Sequence, residues 1–157
     1  MKIWLLTHQR ETFKKTNTGQ LVQQLLADDC ETIIWQRTQP DARLLELVKQ
    51  NAIALLYPNI AANNAQLESP CVNAEHFVII DSTWQQAQKM INQSPYLQTM
   101  PKLSLNADKA SSYLLRRNQK DNGLCTAEVA IALLHQCDKK HKARELQLRF
   151  EQFNQRP

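Results

Sequence analysis

Short apolar runs alternate with helically spaced apolar positions along most of the chain. Runs rich in branched and aromatic side chains predict strands over residues 3–7, 32–36, 53–57 and 77–81, with a weaker one over 102–105. Between and after them, apolar residues at helical spacing predict helices over 19–27, 42–50, 83–92, 126–137 and 143–154. Strands alternating with helices at this interval argue for an α/β fold: a single domain with a mostly parallel sheet of about five strands and helices on both faces. Residues 59–75, with Ala61-Ala62-Asn63-Asn64 and Ser69-Pro70, read as a surface loop. No internal repeat, low-complexity stretch or linker interrupts the pattern.

The 157 residues suit one core. No apolar run approaches the roughly eighteen residues of a membrane span. Met1 to His8 lacks the long apolar stretch and small-residue cleavage pattern of a signal peptide, so a cytoplasmic protein is expected. The four cysteines, Cys30, Cys71, Cys125 and Cys137, have no CxxC pair and no metal-ligand spacing with histidine. Reduced thiols and no metal are therefore expected. Charge is unevenly placed: residues 1–100 hold 8 Lys/Arg against 9 Asp/Glu, whereas 101–157 hold 11 against 6, a shift from −1 to +5. Lys102, Lys109, Arg116, Arg117 and Lys120 form one basic group, and Lys139, Lys140, Lys142 and Arg144 another. Such groups suit a polyanion such as RNA; the second is equally well explained as a solvated helix face.

The chain has only two glycines, Gly19 and Gly123. Neither a GxGxxG turn nor a P-loop is present, which removes the usual nicotinamide and ATP folds. Each glycine lies in a polar turn before a predicted helix, where unpaired N–H groups bind anions or are simply capped by Thr16, Asn17 or Thr18, and by Cys125 or Thr126 with Glu128. The fourth strand ends on Asp81-Ser82-Thr83-Trp84, a carboxylate at the point where α/β proteins place their chemistry. Alone, Asp81 reads equally as a cap for the helix starting near Thr83. Trp84 shares a helical face with Ala87, Met90 and Ile91, which favours a core position supporting the site together with Thr83.

Five motifs in order, His8-Gln9-Arg10-Glu11, Thr16-Asn17-Thr18-Gly19-Gln20-Leu21, Leu55-Leu56-Tyr57-Pro58, Asp81-Ser82-Thr83-Trp84, and Arg116-Arg117 before Leu124-Cys125-Thr126-Ala127-Glu128, resemble those of DTW-domain proteins. The resemblance implies a tRNA-uridine aminocarboxypropyltransferase, which moves the 3-amino-3-carboxypropyl group of S-adenosylmethionine to N3 of a uridine. It also implies a SPOUT-like sheet with a C-terminal trefoil knot. Carried over by motif, the cofactor-binding positions are Thr18, Gly19, Leu56, Tyr57, Leu103, Leu124, Cys125 and Thr126, with tRNA as partner and no membrane. Asp81 becomes the catalytic candidate, because attack by the weakly acidic N3–H group is faster when a positioned base takes the proton or orients the ring. Arg116, Arg117 and Lys102 are the expected RNA contacts, and His8 and Glu11 are placed to order the Thr16–Gly19 turn or touch RNA. Cys125 and Ala127 depart from the serine and leucine common in relatives, and the zinc knuckle many relatives carry before the first strand is not expected here. Methyl transfer on the same scaffold, or RNA binding without catalysis, are the competing functions.

Overall fold

The computed structural model describes residues 1–56, 74–103 and 124–155. Its elements are β1 (Lys2–Thr7), α1 (Gly19–Leu26), β2 (Cys30–Ile34), α2 (Ala42–Lys49), β3 (Ile53–Leu56), β4 (His76–Asp81), α3 (Trp84–Asn92), α4 (Pro95–Thr99), β5 (Lys102–Leu103), α5 (Thr126–Gln136) and α6 (Lys140–Asn154). The strands form one parallel sheet in the order β2-β1-β4-β3-β5. Tyr57, most of the expected loop 59–75, Cys71, the end of the fifth expected strand and Arg116-Arg117 lie outside the described residues. So does 104–123, on whose path the expected knot depends.

Why the sheet forms here is visible in its burial. The inner strands β1, β3 and β4 are almost continuously apolar, as strands covered on both faces must be. Alternation then sorts their side chains. Ile3, Leu5, Ala54, Leu56, Phe77 and Ile79 face α1, α5 and α6, where Val22, Leu133, Leu146 and Phe150 complete one core. Trp4, Leu6, Ile53, Leu55 and Val78 face α2, α3 and α4, closing a second core with Leu44, Met90 and Leu97. Each fully buried large side chain contributes about 1.5–3 kcal/mol. By the same alternation Thr7 and Asp81 fall on the α1/α5 side.

Three local features differ from expectation. The second strand begins two residues early, because pairing with β1 sets its register: Ile3 lies opposite Cys30 and Thr7 opposite Ile34. At Trp35 the chain leaves the sheet and the indole donates to Ser94 Oγ at 2.8 Å. The short α4 was not expected; Pro95 opens it and Leu97 anchors it in the core. The expectation of four reduced cysteines is corrected: Cys30 and Cys125 are free, but Cys137 is disulfide-bonded. Sequence spacing carries no information about which thiols approach in space.

Candidate functional site

Strands β1 and β4 run parallel with Thr7 opposite Asp81, so both end at the same edge of the sheet. There the Asp81 carboxylate is 5 % exposed. Its Oδ2 accepts from Thr7 Oγ1 at 3.2 Å and from Asn17 Nδ2 at 2.9 Å, and its Oδ1 accepts from Thr126 Oγ1 at 2.8 Å. One side chain thus ties together the end of β1, the turn before α1 and the start of α5. The helix-cap alternative for Asp81 is removed, because Thr83 does that work: its Oγ1 accepts from Gln86 N and its N–H donates to Gln86 Oε1. Trp84, the first residue of α3, is half-buried and makes none of the hydrogen bonds to Asp81.

Burial pushes the Asp81 carboxyl above the ordinary carboxylate range, and the bonds from Asn17, Thr126 and Thr7 pull it back. The first residue of α1 is Gly19 and that of α5 is Thr126. Two positive helix ends therefore meet at the carboxylate and favour its anionic form. Gly19 is required by space rather than by an unusual backbone: a Cβ there would lie 2.6 Å from Asp81 Oδ2 and 2.9 Å from Asn17 Oδ1.

The two helix starts are also bonded to each other. Asn17 Oδ1 accepts from Gly19 N at 2.6 Å and so caps α1, which leaves the buried Thr18 hydroxyl to accept from Ala127 N at 3.1 Å. Glu128 Oε1 accepts from Cys125 N at 3.0 Å and closes the first turn of α5. Next to them, Leu56 pairs with Leu103 at the ends of β3 and β5. Leu56, Leu103, Cys125 and Ala127 share one apolar cluster against which Leu124 packs. Burial pushes the Cys125 thiol up to about 12, so it is a neutral wall group rather than a nucleophile. Thr18, Gly19, Leu56, Leu103, Leu124, Cys125 and Thr126 are therefore gathered at the edge that carries Asp81: a polar seam of helix starts beside an apolar wall.

Of the expected RNA residues, Lys102 is the one within the described residues. The Lys102 ammonium donates to Gln98 O at 2.9 Å, at the end of α4. The second basic group lies at the opposite edge of the sheet, where Lys139, Lys140 and Lys142 line a cavity of about 370 Å³ with Met1 and Leu26, and Lys142 pairs with Asp29 at 3.1 Å. Among the described residues no group of His, Cys, Asp or Glu is arranged to hold a metal, and no helix is long and apolar enough to cross a membrane.

Two partners in the site, Thr7 and Asn17, were not singled out in the sequence as ligands of Asp81. Thr7 was legible in hindsight, since parallel strands of equal length end side by side. Glu11 orders the turn as expected: its main-chain oxygen accepts from Asn17 Nδ2 at 3.1 Å and its carboxylate pairs with Lys14 at 2.7 Å. His8 stacks on Trp35 with ring centroids 6.1 Å apart. Burial, then the Arg10 charge, lowers its pKa.

No solved structure gives a significant match to the chain. The DTW domain, however, matches residues 1–157. The chain accordingly belongs to the DTW-domain family, the domain found in tRNA-uridine aminocarboxypropyltransferases.

Proposed function

We propose that the protein transfers the 3-amino-3-carboxypropyl group of S-adenosylmethionine to N3 of a uridine in cytoplasmic tRNA. Family membership supports a tRNA-modifying role. The observation that carries the reaction is the setting of Asp81: buried, and fixed by three side-chain donors at the point where both helix starts and the strand ends converge. A carboxylate offers about four acceptor positions. Among the described residues three are taken, and the fourth, on Oδ1, is the position we assign to the uridine N3–H. Burial raises the basicity of that oxygen, which suits it to take the proton or to hold the ring while N3 attacks. The sulfonium of S-adenosylmethionine supplies an electrophilic carbon with its own leaving group, so the chain needs to provide walls, orientation and a proton acceptor.

In this reading Leu56, Tyr57, Leu103, Leu124 and Cys125 wall the adenine, while Thr18, Gly19 and Thr126 shape the seam along which the amino-acid tail lies. Thr83 and Trp84 hold the start of α3 behind Asp81. The sheet order, with β4 returning between β1 and β3 and β5 beyond them, supports a SPOUT-type relationship, and the trefoil knot belongs to the same proposal. Arg116, Arg117 and Lys102 remain proposed RNA contacts.

The test is incubation with bulk tRNA and S-adenosylmethionine labelled either in the methyl group or in the carboxypropyl chain. Chain label retained in RNA without methyl label is the expected result. Methyl label alone would make the protein a methyltransferase, and neither label with retained tRNA affinity would leave an RNA-binding module.

A further inference from the structure

Phe13 is 87 % exposed, the most exposed large apolar side chain among the described residues. It sits in the connection from β1 to α1, between exposed Arg10 on one side and exposed Lys14 and Lys15 on the other. Leaving a phenylalanine in water forgoes about 1.5–3 kcal/mol of burial. The connection is nevertheless tightly wound. Glu11 N donates to His8 O at 2.9 Å, Lys14 N to Glu11 O at 3.2 Å and Asn17 N to Lys14 O at 3.1 Å, while Thr12 Oγ1 donates to Gln9 O at 2.7 Å. Glu11 points inward, 8 % exposed, and Phe13 points out. The same Asn17 amide that bonds Glu11 O also bonds Asp81, so the loop is pinned directly to the site.

The surroundings favour an anion. Lys14 pairs with Glu11 at 2.7 Å, while Arg10 and Lys15 on either side of Phe13 are exposed. The other exposed large apolar residues among those described, Ile34, Leu45 and Leu148, belong to β2, α2 and α6 and none to the β1–α1 connection, where Phe13 stands among charged neighbours in the chain. A lone aromatic face bordered by cations matches the stacking platforms that hold unpaired bases, and is too small for a protein interface core.

We infer that the β1–α1 connection is an RNA-reading element in which Phe13 stacks on an unpaired base adjoining the modified uridine, while Arg10 and Lys15 hold the flanking phosphates. This rests on the reading of the site as a tRNA modifier, and it adds the first loop to the RNA contacts proposed in the basic last third of the chain. Phe13 is a positioning residue: it does not touch the reacting atoms, but it sets which nucleotide reaches Asp81.

The test measures binding of the full chain to bulk tRNA at several salt concentrations, beside its affinity for S-adenosylmethionine and its thermal midpoint. Phe13→Ala should weaken tRNA binding about 5- to 150-fold, with the salt dependence, cofactor affinity and midpoint unchanged. Phe13→Trp should restore affinity and add a tryptophan emission that tRNA quenches beyond the quenching of the parent chain. Lys15→Ala should instead reduce the slope of log affinity on log salt by about 0.7–0.9. A Phe13→Ala protein that binds tRNA within twofold of the parent overturns the inference. So does a parent that binds no tRNA, or a dimer that Phe13→Ala dissolves without altering tRNA affinity. If Phe13-dependent binding is found but no group is transferred, the inference stands and the proposed reaction falls.

Discussion

Replacing Asp81 in two ways separates its structural work from its chemical work. Asp81→Ala strands two buried hydroxyls, Thr7 Oγ1 and Thr126 Oγ1, and one N–H of the half-buried Asn17 amide, which keeps its bond to Glu11 O. An unsatisfied buried donor costs about 1–3 kcal/mol, and hydroxyls that turn toward an entering water fall at the low end, so the expected loss is about 3 kcal/mol. In a domain of this size that lowers the midpoint by about 6–12 °C. Asp81→Asn is different. An amide nitrogen at the place of Oδ1 donates to the Thr126 hydroxyl, which rotates to accept, while the remaining oxygen keeps Thr7 and Asn17. All three contacts survive and only the charge is lost. Thermal scans should therefore show the Asn variant within about 1 kcal/mol of the parent. The transfer assay should show it slowed about 10²- to 10⁴-fold, the usual worth of a positioned base. Cofactor affinity should persist in the Asn variant and fall in the Ala variant, in which the helix starts keep the Thr18–Ala127 bond but lose the carboxylate that joins them to the strand ends. An Ala variant of unchanged stability would refute the clamp, and an Asn variant of unchanged rate would refute the proton acceptor.

Because the folded Asp81 carboxyl lies above its unfolded value, the folded chain binds the proton more tightly, and its contribution to stability declines as pH rises from the ordinary carboxylate range through the raised pKa. Denaturant titrations at several pH values should show the parent losing ground to Asp81→Asn across that window; parallel curves would remove the buried charge from the account. Gly19→Ala should cost about 1–3 kcal/mol by overpacking and reduce transfer more than the gain in helix propensity can offset, read from denaturant midpoints and the label assay, since its Cβ would lie 2.6 Å from Asp81 Oδ2. Cys30 and Cys125, both pushed up to about 12 by burial, should resist alkylation at pH 8 in the native protein and react once it is unfolded, as peptide mass spectrometry would report.

The sheet was legible because its inner strands are covered on both faces and so read as unbroken apolar runs. The carboxylate at the end of β4 was legible because nothing apolar explains it. What holds that carboxylate was not, since Thr7, Asn17 and Thr126 lie 74, 64 and 45 residues from it in the chain. Edge strand β2 was misplaced by two residues, as its register is a property of β1 and not of its own side chains. The five residues of α4 are too few to show a period, although Pro95 marks their start. Phe13 drew no notice in the sequence, because an isolated aromatic acquires meaning only when the fold leaves it outside.

The same long-range ties give the site a place in time. A nascent chain that has emerged as far as Leu103 carries every described strand of the sheet and the whole Phe13 loop, but neither Thr126, which bonds Asp81, nor Ala127, which bonds Thr18 across 109 residues. Since contacts of such separation form late and synthesis proceeds from the amino end, the cradle closes only when α5 docks. In the proposed reaction, cofactor capture would then follow completed folding, and a truncated or stalled product would lack the cradle assigned to S-adenosylmethionine.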